Sequence, residues 1–174
     1  MYHFFVEPHQ IGAEEIRIEG ADVNHIRNVL RMKPGEEILI SSREGGDYFC
    51  RVEELEPEYV SAKILEEWEN KELPARIHLF QGLPKGDKME LIIQKAVELG
   101  AYRVVPVSMK RSVVKLDAKK ADAKRKRWNA VSESAAKQSK RSLIPEVAPL
   151  MNYKEAVKEA AGYDMVLLPY ESAD

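Results

Sequence analysis

Ile77-His78-Leu79-Phe80-Gln81-Gly82-Leu83-Pro84-Lys85-Gly86-Asp87-Lys88-Met89-Glu90-Leu91-Ile92-Ile93-Gln94-Lys95-Ala96-Val97-Glu98-Leu99-Gly100 is the stretch whose reading decides the fold. Ile77 to Gln81 is a short apolar run of strand length, ended by a turn rich in Gly and Pro. From Asp87 to Leu99, Met89, Ile92, Ile93, Ala96 and Val97 recur at helical spacing, and Gly100 stands at the C′ position that favours a left-handed residue. Strand, tight turn and amphipathic helix make one step of a βα alternation.

Toward the C-terminus the alternation continues. A strand is expected at Arg103 to Val107, a long helix from about Asp117 to Lys140, and a short strand near Glu146 to Ala148. Asn152 with Glu155 three residues on has capping-box spacing, so a last helix is expected there, ended by Gly162 before a strand at Asp164 to Leu168. Strands alternating with helices give an α/β unit with a parallel sheet. Four strands make a thin sheet with an uncovered edge, so a partner or further chain is expected to cover it.

Toward the N-terminus the pattern differs. Glu66 to Pro74 is acidic and closed by Pro, which suits a linker. Before it, Tyr2 to Val6, Glu37 to Ser41, Asp47 to Glu53 and Tyr59 to Ile64 have strand character, with a hairpin turn at Gly45-Gly46-Asp47. Several short strands suggest a small β-barrel. One helix, Val23 to Met32, is expected with Asp22 as its cap and with Arg27 and Arg31 on one face. The division is residues 1–72 and 73–174.

The overall charge of −2 hides a strong asymmetry. Residues 1–73 hold 8 Lys/Arg against 17 Asp/Glu, whereas residues 110–141 hold 12 against 3. A basic run of this kind, with Lys119, Lys120, Lys124, Arg125, Lys126 and Arg127 on more than one helix face, favours phosphate binding over a merely solvated surface. The one cysteine, Cys50, excludes an internal disulfide and a cysteine zinc site, and its strand-like surroundings favour packing over nucleophilic use. His3, His9, His25 and His78 have no metal-ligand spacing and no triad pattern. Met1 to Glu7 is unlike a signal peptide and no 18-residue apolar run occurs, so a cytoplasmic protein without membrane spans is expected.

Individual motifs carry less. Gly82 to Lys88 resembles a phosphate loop at a helix N-terminus but misses the spacing and hydroxyl of an NTPase loop; a tight βα turn with solvated lysines is the plainer reading. Glu98, at a helix end that favours cations, is either paired with Lys95 or functional. Arg111 lies after the second strand's C-terminal end, where ligands bind in open α/β sheets. Trp128 is read as a core anchor.

Asn24-His25-Ile26-Arg27-Asn28-Val29-Leu30-Arg31 with Gly35, Lys85-Gly86-Asp87-Lys88-Met89, Gln94 to Gly100, Arg111-Ser112-Val113, Arg127-Trp128 and Ala135 to Arg141 through Ile144-Pro145 together resemble the 16S ribosomal RNA (uracil-N3) methyltransferases, in order along nearly the whole chain. The resemblance implies an N-terminal PUA-like RNA-binding barrel followed by a knotted SPOUT methyltransferase domain, a homodimer, S-adenosylmethionine as cofactor, and ribosomal RNA or the small ribosomal subunit as partner. The knot is a rare exception to unthreaded topology. Members of that family continue with a Gly-Pro-Glu-Gly-Gly loop and a later cofactor segment, neither of which occurs here. The SPOUT domain is therefore expected to be incomplete in this chain, with the main cofactor pocket beyond Asp174 and the chain inactive by itself.

The residues expected to hold RNA are Arg27, Arg31, Lys85, Arg111, Lys124, Arg125, Glu133, Gln138 and Arg141; Tyr170 and Glu171 are expected at the cofactor rim. No general base and no metal site is identified. The competing expectation is a stand-alone RNA-binding protein, for which a barrel and a basic helix suffice.

Overall fold

The computed structural model describes residues 1–43, 45–69, 72–110 and 118–169. Two sheets organise them. The first has the order β1-β3-β4-β5-β2, formed by β1 (Tyr2–Val6), β2 (Glu15–Glu19), β3 (Glu37–Ser42), β4 (Asp47–Leu55) and β5 (Tyr59–Trp68). β1 runs parallel to β3 and the other pairs are antiparallel. Ile16 and Ile18, Ile38 and Ile40, and Val60 and Ala62 alternate by two and all fall in one buried core. Register shifts in β4 between Phe49 and Cys50 and between Val52 and Glu54 add twist, and the sheet curls into a half-barrel with β1 and β2 at its edges. Cys50 lies in this core, where burial pushes its thiol up to about 12, so packing is its role.

Two local expectations change here. β2 was not among the expected strands, although Glu-Ile-Arg-Ile-Glu alternates cleanly. The single helix at Val23 to Met32 is instead α1 (Ala21–Asn24) continuing into a π-helical turn (His25–Val29). The Leu30 N–H donates to the His25 carbonyl at 2.9 Å, one residue further back than in an α-helix, and Arg31 follows with φ 54°. Gly20, with φ 74°, is the N-cap; Asp22 sits inside the first turn, and its carboxylate faces Lys137.

The second sheet is parallel throughout. β7 (Arg103–Ser108) is central, with β6 (His78–Gly82) on one side; β8 (Glu146–Val147) and β9 (Met151–Asn152) pair with successive parts of its other side. Helices α2 (Lys88–Glu98) and α3 (Ala118–Ser139) cover one face, where Met89, Ile93, Val97, Trp128 and Ala136 meet Val104. α4 (Tyr153–Ala160), opened by the expected Asn152 and Glu155 capping box, covers the other, where Ala156 meets Val105 and Val107. Asn129 ties α3 to β8: its amide donates to the Val147 carbonyl at 3.1 Å and accepts the Val147 N–H at 3.0 Å. Asp164 to Leu168, expected as a strand, is not one. It has no ladder partner among the described residues, and Met165, Leu167 and Leu168 are 75, 80 and 84% exposed.

The two sheets share a seam. Phe4 and Val6 of β1 enter the half-barrel core, while Phe5, on the opposite face, enters the core beneath α2 and α3. The expected linker is also part of the seam, since β5 runs on to Trp68 and Glu72 is buried against Arg141. The Arg141 Nε donates to both Glu72 oxygens at 2.8 and 2.9 Å, and its Nη1 donates to the carbonyls of Val97 and Ala101. The Ser142 N–H adds a bond to Glu72 at 2.8 Å. His3, beside Phe5, is buried in the same seam with its Nε2 2.8 Å from Ser41 Oγ, and the Ser41 hydroxyl donates to Asp47. Burial, then Lys137, then Lys140 lower its pKa to about 4.

Two measurements follow from the seam. Arg141→Ala leaves the Glu72 carboxylate buried without its fork and is expected to cost roughly 3–5 kcal/mol in urea unfolding, with Arg141→Lys recovering only part. An unchanged urea midpoint for the alanine variant refutes the clamp. His3 is held neutral, so its contribution is fully present above its ordinary value of 6.5 and is lost as pH falls through about 4. At about 1.4 kcal/mol per pH unit that is about 3 kcal/mol; NMR titration of the imidazole is expected to show no protonation near pH 6.5, and a midpoint there contradicts the assignment.

Candidate nucleic-acid interface

A groove of about 460 Å³ opens between the start of β1, the α1 and π-helical segment and the end of α3. Tyr2, His3, Asp22, His25 and Leu30 line one side; Ser134, Lys137, Gln138 and Lys140 line the other. The end of α3 presents its cations here because Lys140, with φ 56°, turns the chain sharply before the buried Arg141. Along the seam the charges alternate. Glu7 pairs with Arg43 at 3.1 Å, Arg43 with Glu133 at 3.3 Å, Glu133 with Lys137 at 3.3 Å and Lys137 with Asp22 at 3.3 Å.

The structure sorts the expected RNA-binding residues into different surroundings. Gln138 lines the groove, and Glu133 lies one helical turn back, within the charge ladder. Arg27 and Arg31 sit on and just after the π-helical turn beside the groove, and neither has an ion pair among the described residues. Lys85 is exposed in the turn between β6 and α2, where Gly86 has φ 72°. Lys124 lies on α3 with its ammonium 5.9 Å from the ring centre of Trp128, which is itself 4% exposed, as a core anchor should be. Arg125 reaches the Val147 carbonyl at 3.4 Å and Glu146 at 3.6 Å, and Arg127 pairs with Glu90 at 2.7 Å. Arg141 is buried, with its donors directed at Glu72 and two backbone carbonyls. Arg111, Tyr170 and Glu171 lie outside the described residues.

The arginines of α3 thus fasten the helix, and lysines form much of its solvent-facing charge. A guanidinium reaches several acceptors at once, whereas an ammonium on a flexible stem stays hydrated. Glu98 has the plainer of its two readings, with Lys95 at 2.7 Å and Gln94 at 2.9 Å; those hydrogen bonds, Lys95 first, lower its pKa. Among the described residues no cluster of His, Cys, Asp and Glu could hold a metal ion.

Sequence reasoning missed the pairing of His3, Ser41 and Asp47, because these residues are local neighbours neither in sequence nor by any motif. It is not a nucleophilic triad. The serine lies in the middle and gives its proton to the carboxylate, so the imidazole cannot act as its base. A second opening, of about 500 Å³, lies on the other side of the seam between Arg43, Gly46, Arg76, Tyr102, Arg103 and Glu146. There Arg76 stacks over Tyr102 at 4.9 Å, and Arg103 is held by Glu159 at 2.6 Å.

Both parts of the chain match known families. Residues 71–174 match the model of an RNA methyltransferase domain, and residues 18–65 that of an RNA methyltransferase PUA domain. The chain is 39% identical over 178 residues to ribosomal RNA small subunit methyltransferase E of Bacillus subtilis, covering 99% of this chain and 69% of that protein. The protein of the same name from Mycobacterium tuberculosis is 30% identical, with 90% of this chain matched to 62% of that one. The crystal structure of ribosomal RNA small subunit methyltransferase E from Neisseria gonorrhoeae bound to S-adenosyl methionine superposes with a TM-score of 0.79 at 34% identity, covering 91% of this chain and 66% of that one. A crystal structure described as a hypothetical protein superposes with a TM-score of 0.91 at 40% identity, covering 98% and 71%. The half-barrel and the parallel sheet are thus the PUA-like and SPOUT-type parts expected from the sequence, and no helix among the described residues is long and apolar enough to cross a membrane. By sequence along its whole length and by fold, the chain belongs to the RNA methyltransferase family that includes ribosomal RNA small subunit methyltransferase E.

Proposed function

We propose that this chain is part of an enzyme that methylates N3 of a specific uridine in 16S ribosomal RNA, with S-adenosylmethionine as methyl donor, acting as a cytoplasmic homodimer. The observation that carries the reading is the ordered match of both units to RNA methyltransferase models, with the cationic end of α3 facing the PUA-like unit across a groove. The chain spans 62 to 69% of the two curated relatives named above, so the activity is proposed for the protein and not for this span alone.

The cofactor's own chemistry limits where it can sit. Its sulfonium is positively charged, and the openings along the seam are lined by Lys137 and Lys140 with Asp22, and by Arg43, Arg76 and Arg103 with Glu72 and Glu146. The cations among them suit RNA phosphates better than they suit a sulfonium. Tyr170 and Glu171, which follow the last described segment, are the proposed rim of its pocket. The bound cofactor supplies an electrophilic methyl group. The chain's residues bind and orient the RNA and place cations near a base that must lose its N3 proton to become nucleophilic. Arg27, Arg31, Gln138 and Lys140 are proposed to hold the strand, Lys85 and Lys124 to guide its phosphates, and Glu133 to set the geometry of Lys137.

The decisive test is transfer of labelled methyl from S-adenosylmethionine to small-subunit RNA or particles by the complete protein that contains this chain, followed by nucleoside chromatography. Label in 3-methyluridine is expected; label in any other nucleoside, or RNA binding without transfer, overturns the reading. A second measurement separates binding cations from fastening ones. Arg27→Ala with Arg31→Ala is expected to lower the slope of log affinity against log salt by about 0.7 to 0.9 for each phosphate no longer neutralised, whereas Arg127→Ala lowers thermal stability and leaves that slope nearly unchanged.

A further inference from the structure

The groove beside β1 holds one polar group that phosphate binding does not use. His3 is 5% exposed and lines the groove wall. Its tautomer follows from its neighbours. The Ser41 hydroxyl has one proton and directs it at Asp47, so Ser41 Oγ receives the Nε2–H of His3. The Nδ1 of His3 is then a lone-pair acceptor, and it has no hydrogen-bond partner among the described residues. A buried acceptor left unpaired is costly, and its cost falls when a ligand brings a donor.

What surrounds that acceptor defines the ligand. Lys137, Gln138 and Lys140 place donors on the opposite wall, and Tyr2, Phe4 and Leu30 supply apolar surface. The volume of about 460 Å³ falls within the range of small-ligand sites, roughly 300–1,000 Å³, and the wall is built by rigid β1 and α3. A recessed, unpartnered acceptor in one wall and donors on the other complement a flat group that offers an N–H beside a carbonyl. Among RNA bases, uracil at N3 and guanine at N1 do so; cytosine and adenine present a lone pair at the matching position and would set two acceptors against each other. Splayed bases are also what proteins read in single-stranded RNA.

We propose that this groove receives one splayed-out RNA base bearing an imino N–H, uracil or guanine, with His3 Nδ1 accepting that hydrogen and Gln138 or Lys140 donating to the adjacent carbonyl. This rests on the RNA-binding reading above and goes beyond it. The base held here is not the one that is methylated, because an imino nitrogen engaged with His3 is not open to a methyl group. It is a neighbour, and the groove reads sequence next to the target. Because Nδ1 has almost no accessible surface, admission of a base requires the exposed side chains of Met1 and Tyr2 at the rim to shift while the β1 backbone stays paired with β3.

The test uses labelled cytidine hexanucleotides with one central residue replaced by uridine, 3-methyluridine, guanosine or 1-methylguanosine, measured by fluorescence anisotropy with this chain. The uridine and guanosine probes are expected to bind about tenfold tighter than their methylated counterparts and than the unsubstituted probe, and to shift the His3 Nδ1 nitrogen resonance. His3→Phe, which keeps a ring against Phe5, is expected to reduce that discrimination to less than twofold. Equal binding of all probes by the unsubstituted chain, with salt-sensitive RNA affinity intact, overturns the base site and leaves the RNA-binding reading standing; water alone then satisfies His3. Failure of every probe and of small-subunit RNA to bind overturns both.

Discussion

β1 carries buried side chains on both of its faces, and the rest of the molecule is arranged around that. Phe4 and Val6 close one core and Phe5 enters the other, so a single strand of five residues belongs to two hydrophobic clusters. Burying an aromatic or branched side chain contributes about 1.5–3 kcal/mol, so each face has its own hold on the strand. Side chains alternate with a period of two, so a slip of one residue against β3 would exchange the two sets. The parallel register Tyr2 to Ile38 through Val6 to Ser42 is thereby fixed from both sides. The same register sets His3 opposite Leu39, so that its ring reaches Ser41 diagonally on the face that bears Phe5 and lines the groove beside α3, which makes the groove's shape a consequence of hydrophobic packing.

Charge is distributed on that frame in two different ways. The acidic N-terminal unit and the basic α3 meet in an alternating ladder from Glu7 to Asp22, all of it partly solvated. Exposed pairs of this kind contribute little each, about 0–1 kcal/mol, and are screened by salt. Arg141 and Glu72 are different, because their side chains are only 10 and 13% exposed and further hydrogen bonds complete the guanidinium's geometry. The firm attachments are therefore hydrophobic at Phe5, between the two sheets, and ionic at Arg141, which holds the segment that follows β5. The remaining cations are left with a field that phosphate can use.

Much of this was legible in the sequence, and the losses have physical causes. The βα step at residues 77–100, the capping box at Asn152 and the packing roles of Cys50 and Trp128 are all written in local spacing, which survives folding. The π-helical turn was not legible: the apolar positions Val23, Ile26 and Leu30 fit an α-helix as well, and only the hydrogen bonds to His25 and Ile26 distinguish them. Arg141 looked like a binding residue because it closes a basic run; its acceptors, Glu72, Val97 and Ala101, are 40 residues or more away in sequence. Likewise, the acidic stretch after β5 has a linker's composition, yet Glu72 is fixed by a partner that no window of sequence contains. Asp164 to Leu168 has a strand's composition, but a strand also needs a neighbour, and composition carries no information about that.

The separation of cations on α3 bears on how a methyl-transferring member of this family would have to work. A sulfonium donor and an RNA phosphate carry opposite charges, so one electrostatic surface cannot favour both. Arg125 and Arg127 are neutralised locally by Glu146 and Glu90, on the side of α3 that faces β8 and α2. Lys137, by contrast, is shared between Asp22 and Glu133 at distances near 3.3 Å, long enough that a phosphate can compete for it. Beside the groove, Arg27, Arg31 and Lys140 have no ion pair among the described residues. On the proposed function these cations draw the RNA strand to the groove, where its phosphates supply the counter-charge that the fold does not.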